Sequence, residues 1–136
     1  MADQIRRVDY CYVDVPDKAG EGVRVLTALK EAGVDLLNFT AFPTSTGRAQ
    51  LDLVVQDGEA LARAAKKAGL TLSPRKPAFF VQGANRPGAA ADVLRKLAEA
   101  KISVRAANGS AGQGGFGMIL WVAPGDVAAA SKALGV

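Results

Sequence analysis

The sequence contains no histidine and a single cysteine, Cys11, among its 136 residues. Without histidine the commonest general base and metal ligand is missing, and with one thiol neither an internal disulfide nor a zinc or redox-metal site is expected. Long apolar runs are also missing. The longest, Met118 to Ala123, falls far short of the ~20 residues that a membrane-spanning helix requires. The start, Met1 to Arg7, is polar and unlike a signal peptide, so the sequence is assigned to the cytoplasm, with no membrane partner. No nucleophile elbow, paired-carboxylate motif or base beside Ser45 or Ser110 is visible, so no catalytic residue, cofactor or metal is assigned and the chain is not read as an enzyme.

What is present is a folded composition, 49% apolar and 22% charged, outside the range of disordered chains. The net charge of +4 is uneven. Residues 1–68 carry 9 basic and 10 acidic side chains, and residues 69–136 carry 8 and 3. Most of that excess reads as solvated surface, such as Arg95 and Lys96 on an outer helix face and Arg75 and Lys76 in a connecting segment.

The chain repeats itself. Asn85-Arg86-Pro87-Gly88 stands 68 residues after Asp17-Lys18-Ala19-Gly20, and Leu94, Leu97, Ala100 and Ile102 follow Leu26, Leu29, Ala32 and Val34 at the same offset. Each copy reads as strand, glycine turn, helix, strand. In the first, Val8 to Val15 alternates as a strand with Cys11, Val13 and Val15 inward, and Cys11 is expected to be a buried, inert thiol. A helix from Glu21 stops at Gly33, strands follow at 34–42 and 49–55, Asp57 caps a short helix ending at Gly69, and 70–72 begins a fourth strand. The second copy repeats strand 78–82, helix to about Ala100, strands 102–107 and 116–122, and helix 126–134, with no room for a fourth strand.

The α+β reading is therefore two ferredoxin-like βαββαβ modules, 1–74 and 75–136, the second without its last strand. An edge left open by the missing strand is expected to be covered by domain or subunit pairing. The sheet faces opposite the helices carry Tyr10, Tyr12, Leu37 and Phe39 in one module and Phe80, Ile119 and Trp121 in the other. Leaving such groups wet forfeits several kcal/mol at ~25 cal/mol per Å2, so these faces are expected to pack against one another or a second chain.

The run Gly112-Gln113-Gly114-Gly115-Phe116-Gly117 fits a dinucleotide-binding pattern, but a strand follows it where that fingerprint needs a helix, so it reads as a hairpin.

On the Asp/Asn-x-Pro-Gly turn at Asn85 to Gly88, the βαββ order and the Ala32-Gly33-Val34 helix ending, residues 8–136 resemble tandem ACT domains, the ligand-sensing modules of amino-acid metabolism. The chain looks like a free-standing sensor similar to the aspartokinase regulatory pair. It departs from the pattern at Ala19, where the motif has proline, and at Lys101, where the first copy has Gly33. The resemblance implies a regulatory protein that binds an amino acid or similar small metabolite at the interface where its tandem modules meet, forms a homodimer and controls a metabolic enzyme allosterically. It places Asp17, Lys18, Gly20 and Glu21 at one ligand site, Asn85, Arg86, Pro87 and Gly88 at the other, and Asn38 and Asn108 on the facing strands. A glycine turn that opens a helix suits this role, since backbone approaches closely there and free N–H groups suit a carboxylate. Without the resemblance, Asp17 and Asn85 read as turn and cap residues. The alternative is single-stranded nucleic-acid binding through Tyr10, Tyr12 and Phe80, but the third strands lack the arginine-glycine-aromatic signature that such modules use.

Overall fold

The computed structural model describes residues 3–136; Met1 and Ala2, where the first expected module begins, lie outside the described residues. In chain order the elements are β1 (Gln4–Pro16), α1 (Glu21–Glu31), β2 (Leu36–Ser45), β3 (Arg48–Val55), α2 (Gly58–Ala68), β4 (Lys76–Gly83), α3 (Ala89–Glu99), β5 (Val104–Gly112), β6 (Gly115–Val122), a 3-10 turn (Pro124–Asp126) and α4 (Val127–Leu134). The protein is thus mixed α and β, and the strand pairs β1–β3, β2–β3, β4–β6 and β5–β6 are antiparallel. It divides into two compact units: Asp9–Lys76, and Pro77–Val136 together with the residues up to Val8.

In the 9–76 unit the strand order is β2-β3-β1. Strict alternation sends Cys11, Val13 and Val15 from β1 and Leu51, Leu53 and Val55 from β3 into one core with Val25, Leu29 and Leu61 of the helices. Cys11 is buried there, and burial pushes its thiol pKa up, which leaves it unreactive. Asp57 caps α2 by accepting from the Glu59 and Ala60 amides at 3.0 and 3.1 Å, and Gly69, with φ 72°, ends it. The fourth strand expected at 70–72 shrinks to one bridge, Val13 to Leu72, extended by Ser73, whose N–H donates to Tyr12 O and whose hydroxyl accepts from the Tyr12 N–H. Asp52 is the one buried charged residue among those described. The Gln50 amide donates to it at 2.8 Å, and burial raises its carboxyl pKa.

In the 77–136 unit the order is β1-β4-β6-β5. The core is Phe79 and Val81 of β4, Val93 and Leu97 of α3, and Met118 and Leu120 of β6, closed by Val127, Ala130 and Leu134 of α4. Here the expected cover is found within the chain. The edge of β4 that the missing strand leaves open is covered by this chain's own first residues: β1 begins at Gln4, Ile5 packs on the core, and the Arg6 guanidinium lies 5.4 Å from the Phe80 ring centre. The adjacent charges Arg6 and Arg7 interrupt the apolar alternation, which is why the strand reads as starting at Val8. The compact units accordingly differ from the expected 1–74 and 75–136 division at this segment.

The face opposite the helices is also dry in this unit. Phe80 and Trp121 are 8% exposed and Ile119 is 0%. Phe39, in the other unit, stays half exposed.

The two main helices end alike. Gly33 has φ 71°, with the Val34 amide donating to Leu29 O, and Lys101 has φ 60°, with the Ile102 amide donating to Leu97 O. The departure from glycine at Lys101 thus leaves the turn intact and forces a lysine into the left-handed region. Two outcomes follow. Lys101→Gly is expected to raise stability by up to about 1 kcal/mol in chemical denaturation. Deleting residues 1–8 is expected to abolish hydrogen-exchange protection of the β4 amides that face β1, while those of β3 keep theirs.

Candidate functional site

Two turns of the same construction open α1 and α3. In the second copy Arg86 O accepts from the Ala89 amide at 3.2 Å, and Gly88 takes φ 85°, ψ 4°. That is a type II turn, with Pro87 at the position that favours its fixed φ and glycine where φ must be positive. In the first copy Lys18 O accepts from the Glu21 amide at 3.3 Å and Gly20 takes φ 95°, ψ −17°. Ala19 there fills the proline position without changing the turn. Neither helix start carries a side-chain cap, so first-turn N–H groups that lack an intrahelical acceptor face outward at both.

A cleft of about 510 Å3 opens at the second turn, within the ~300–1,000 Å3 of small-molecule sites. Asn85, Arg86, Gly88 and Asn108 all line it; Pro87 is not among the lining residues and serves the turn. The remaining walls escaped sequence reasoning. They are Ala89, Ala90, Ala91 and Leu94 of α3, the β5 segment from Ala107 to Ala111, and Phe116 and Met118 of β6. The register explains the space. Ala107, Gly109 and Ala111 pair with Leu120, Met118 and Phe116 and so share the face of β5 that looks toward α3. Three small residues on that face leave room beside the helix. Asn108 pairs with Ile119, so alternation turns its side chain to the opposite face and leaves its backbone edge at the cleft. The clue in the sequence was the low side-chain volume of 105–111, which reads equally as a loop.

Among the described residues, Arg86 is the one ionisable side chain in the lining. Its guanidinium donates to both Asp3 oxygens at 3.2 and 3.4 Å and to Asp92 at 2.8 Å, and Asp92 also pairs with Arg95 at 3.2 Å. The hydrogen bond from Arg86 holds the Asp92 carboxyl below its usual pKa range, and the Asp3 and Asp92 bonds raise that of Arg86. Gly83 permits this arrangement, because a Cβ there would lie 2.0 Å from Asp3 Oδ1.

The first-copy residues are less concentrated. Asp17, Lys18 and Gly20 are exposed, the Asp17 amide donates to Gly47 O, and the Glu21 carboxylate pairs with Arg24 at 2.6 Å. Asn38 pairs with Val54 and lies on the β2 face turned from the helices. Phe39 pairs with Leu53 as Ala107 pairs with Leu120, so a phenyl ring stands where the second copy has a methyl. The glycine-rich run closes the β5–β6 hairpin, with Gly112 paired to Gly115, and strand β6 follows it. Among the described residues, no three His, Cys, Asp or Glu side chains come together as metal ligands, and no helix is long and apolar enough to cross a membrane.

No family model and no curated sequence matches the chain, but solved structures do. A Bacteroides thetaiotaomicron protein superposes with TM-score 0.81 at 16% identity, covering 96% of this chain and 88% of that one. The ligand-free regulatory subunit of aspartate kinase from Thermus thermophilus gives 0.63 at 16% identity, covering 98% and 94%. The regulatory subunit from Thermus flavus gives 0.59 at 18% identity, covering 98% and 94%. The chain has the fold of these aspartate kinase regulatory subunits. The two Thermus neighbours are regulatory subunits.

The turn geometry sets an expected outcome. Gly88→Val places a β-branched residue at positive φ and is expected to cost about 1–2 kcal/mol. Gly22→Ala, inside α1 with nothing within 4 Å of the new Cβ, is expected to gain about 0.4–1 kcal/mol. Urea denaturation of the two variants checks both signs.

Proposed function

We propose that this chain is a regulatory protein built of two ferredoxin-like ACT modules, following the sequence repeats 1–74 and 75–136, that senses an amino acid. The ligand sits in the cleft at Asn85–Gly88, where its carboxylate meets first-turn amides of α3 and its ammonium group meets Asn85 and backbone carbonyls. Arg86 and Asn108 border the same space. Asp17, Lys18, Gly20, Glu21 and Asn38 form the pseudo-equivalent position of the first module. The protein acts in the cytoplasm as a homodimer, and ligand binding adjusts a metabolic enzyme that it contacts. The observation that carries this reading is the coincidence of the repeated glycine turn with a cleft of ligand size.

Single-stranded nucleic-acid binding is the weaker reading. Its stacking platforms would be Tyr10, Tyr12 and Phe80, but Lys76 lies 5.1 Å from the Tyr12 ring centre and Arg6 lies 5.4 Å from that of Phe80, while Phe80 is buried. A free ring face is what base stacking requires.

Thermal unfolding in the presence of each of the twenty amino acids tests the proposal. At 100 times the dissociation constant a ligand of the native state adds about 2.7 kcal/mol, which is expected as a clear rise in the melting temperature with at least one of them. Asn85→Ala is expected to shrink that rise while leaving the ligand-free melting point nearly unchanged. An absence of any shift, together with salt-dependent binding of single-stranded RNA, would replace this reading with the nucleic-acid one.

A further inference from the structure

The chemistry of the cleft walls specifies more than a generic amino acid, and this inference rests on the amino-acid reading above. The walls that accept a side chain are apolar: Leu94 of α3, Phe116 and Met118 of β6, and the methyl groups of Ala91 and Ala107. Among the described residues no carboxylate belongs to the lining, so the ammonium of a basic side chain finds no counter-charge there. An acidic side chain fares no better. Among the described residues the one cation in the lining, Arg86, is already held by Asp3 and Asp92, and a second carboxylate enters only by displacing one of them. A charged group moved out of water without a partner is strongly disfavoured, whereas an apolar side chain gains by burial against these walls.

The two copies also differ at the positions that make the space. Ala107 has Phe39 as its register counterpart, since both pair with the buried core leucine of the next strand, Leu120 and Leu53. Sixty-eight residues before Ala91 stands Val23. Both replacements add volume on the side where the second copy is open, and both keep exposed side chains, Phe39 at 50% and Val23 at 71%. The structure holds the same turn twice and the open wall beside it in the second copy.

We propose that the cleft beside Asn85–Gly88 takes one α-amino acid per chain, and that the class it selects is the uncharged apolar one, with a leucine-, methionine- or phenylalanine-sized side chain lying against Leu94, Phe116 and Met118. Ala107 and Ala91 set this capacity, and Phe39 and Val23 close the corresponding space in the first copy.

Calorimetric titration of the full-length protein with L-leucine, L-methionine, L-phenylalanine, L-aspartate and L-lysine tests the selectivity. The expected result is one binding event per chain, with the best apolar amino acid at least about tenfold tighter than aspartate and lysine. Ala107→Phe, which installs the first copy's residue at an exposed position of an edge strand, is expected to abolish binding of that amino acid with the ligand-free melting point preserved. Ala91→Val is the companion variant should Ala107→Phe fold poorly, and it is expected to weaken the same binding. Aspartate or lysine binding as tightly as the best apolar amino acid overturns the selectivity while leaving the amino-acid reading intact. Two equal sites per chain, or binding untouched by both variants, overturns the assignment to this cleft. Failure of every amino acid to bind removes the amino-acid reading itself.

Discussion

A strand that leaves a row of backbone groups unpaired exposes them to water or to another chain, and in this protein that constraint is met by β1. Its residues up to Val8 cover β4, and its continuation from Asp9 pairs with β3 through eight consecutive residue pairs. Thirteen residues, Gln4–Pro16, thus serve both compact units in succession. Much else follows from this placement. Ile5 closes the core beneath α3 and α4, and Asp3 arrives where it can hold Arg86. The position of Arg86 in the cleft lining therefore depends on a strand that comes from the opposite end of the sequence.

The cleft itself is a product of subtraction. Both copies keep the type II turn and the left-handed glycine, because no other residue adopts that conformation without strain. They diverge in side-chain volume beside the turn, where Ala107, Gly109 and Ala111 face α3 and Phe39 stands in the first copy. Duplication gave two equal frameworks, and a few substitutions on one strand face are enough to make their surfaces chemically unequal. The lysine at position 101 makes a related point. A turn specified by its hydrogen bonds, here Ile102 N–H to Leu97 O, persists even where the residue at its left-handed position is poorly suited to it.

The solved neighbours share the fold at 16–18% identity, a level at which core faces persist while surface and pocket residues drift. This is consistent with what was legible in the chain. The alternation of β1 and β3, the helical spacing of Val93 and Leu97, the Asp57 cap and the Gly33 and Gly69 stops were each readable locally and are each present. So was the rejection of the glycine-rich dinucleotide pattern, since β6 begins within it. Less legible were the start of β1, hidden behind Arg6 and Arg7, and the fourth strand of the first copy, which reduces to one bridge at Leu72. Half of the candidate site was visible as well: Asn85, Arg86, Gly88 and Asn108 meet at one cleft. The apolar half was not, because alanines and glycines on an edge strand carry no pattern distinct from that of a loop.

The sequence by itself determined the duplication, the order of elements, the inward faces and the two glycine turns, because periodicity, capping and positive φ act over a few residues and leave their mark in neighbouring letters. Only the tertiary structure decided which segment covers β4, which copy keeps an open cleft and where Arg86 finds its partner. Arg86 and Asp3 are 83 residues apart, and Ala107 acquires its meaning from the register that sets it opposite Leu120 and beside α3. Such relations are fixed by strand pairing across long stretches of chain, where the local pattern carries no information about the partner.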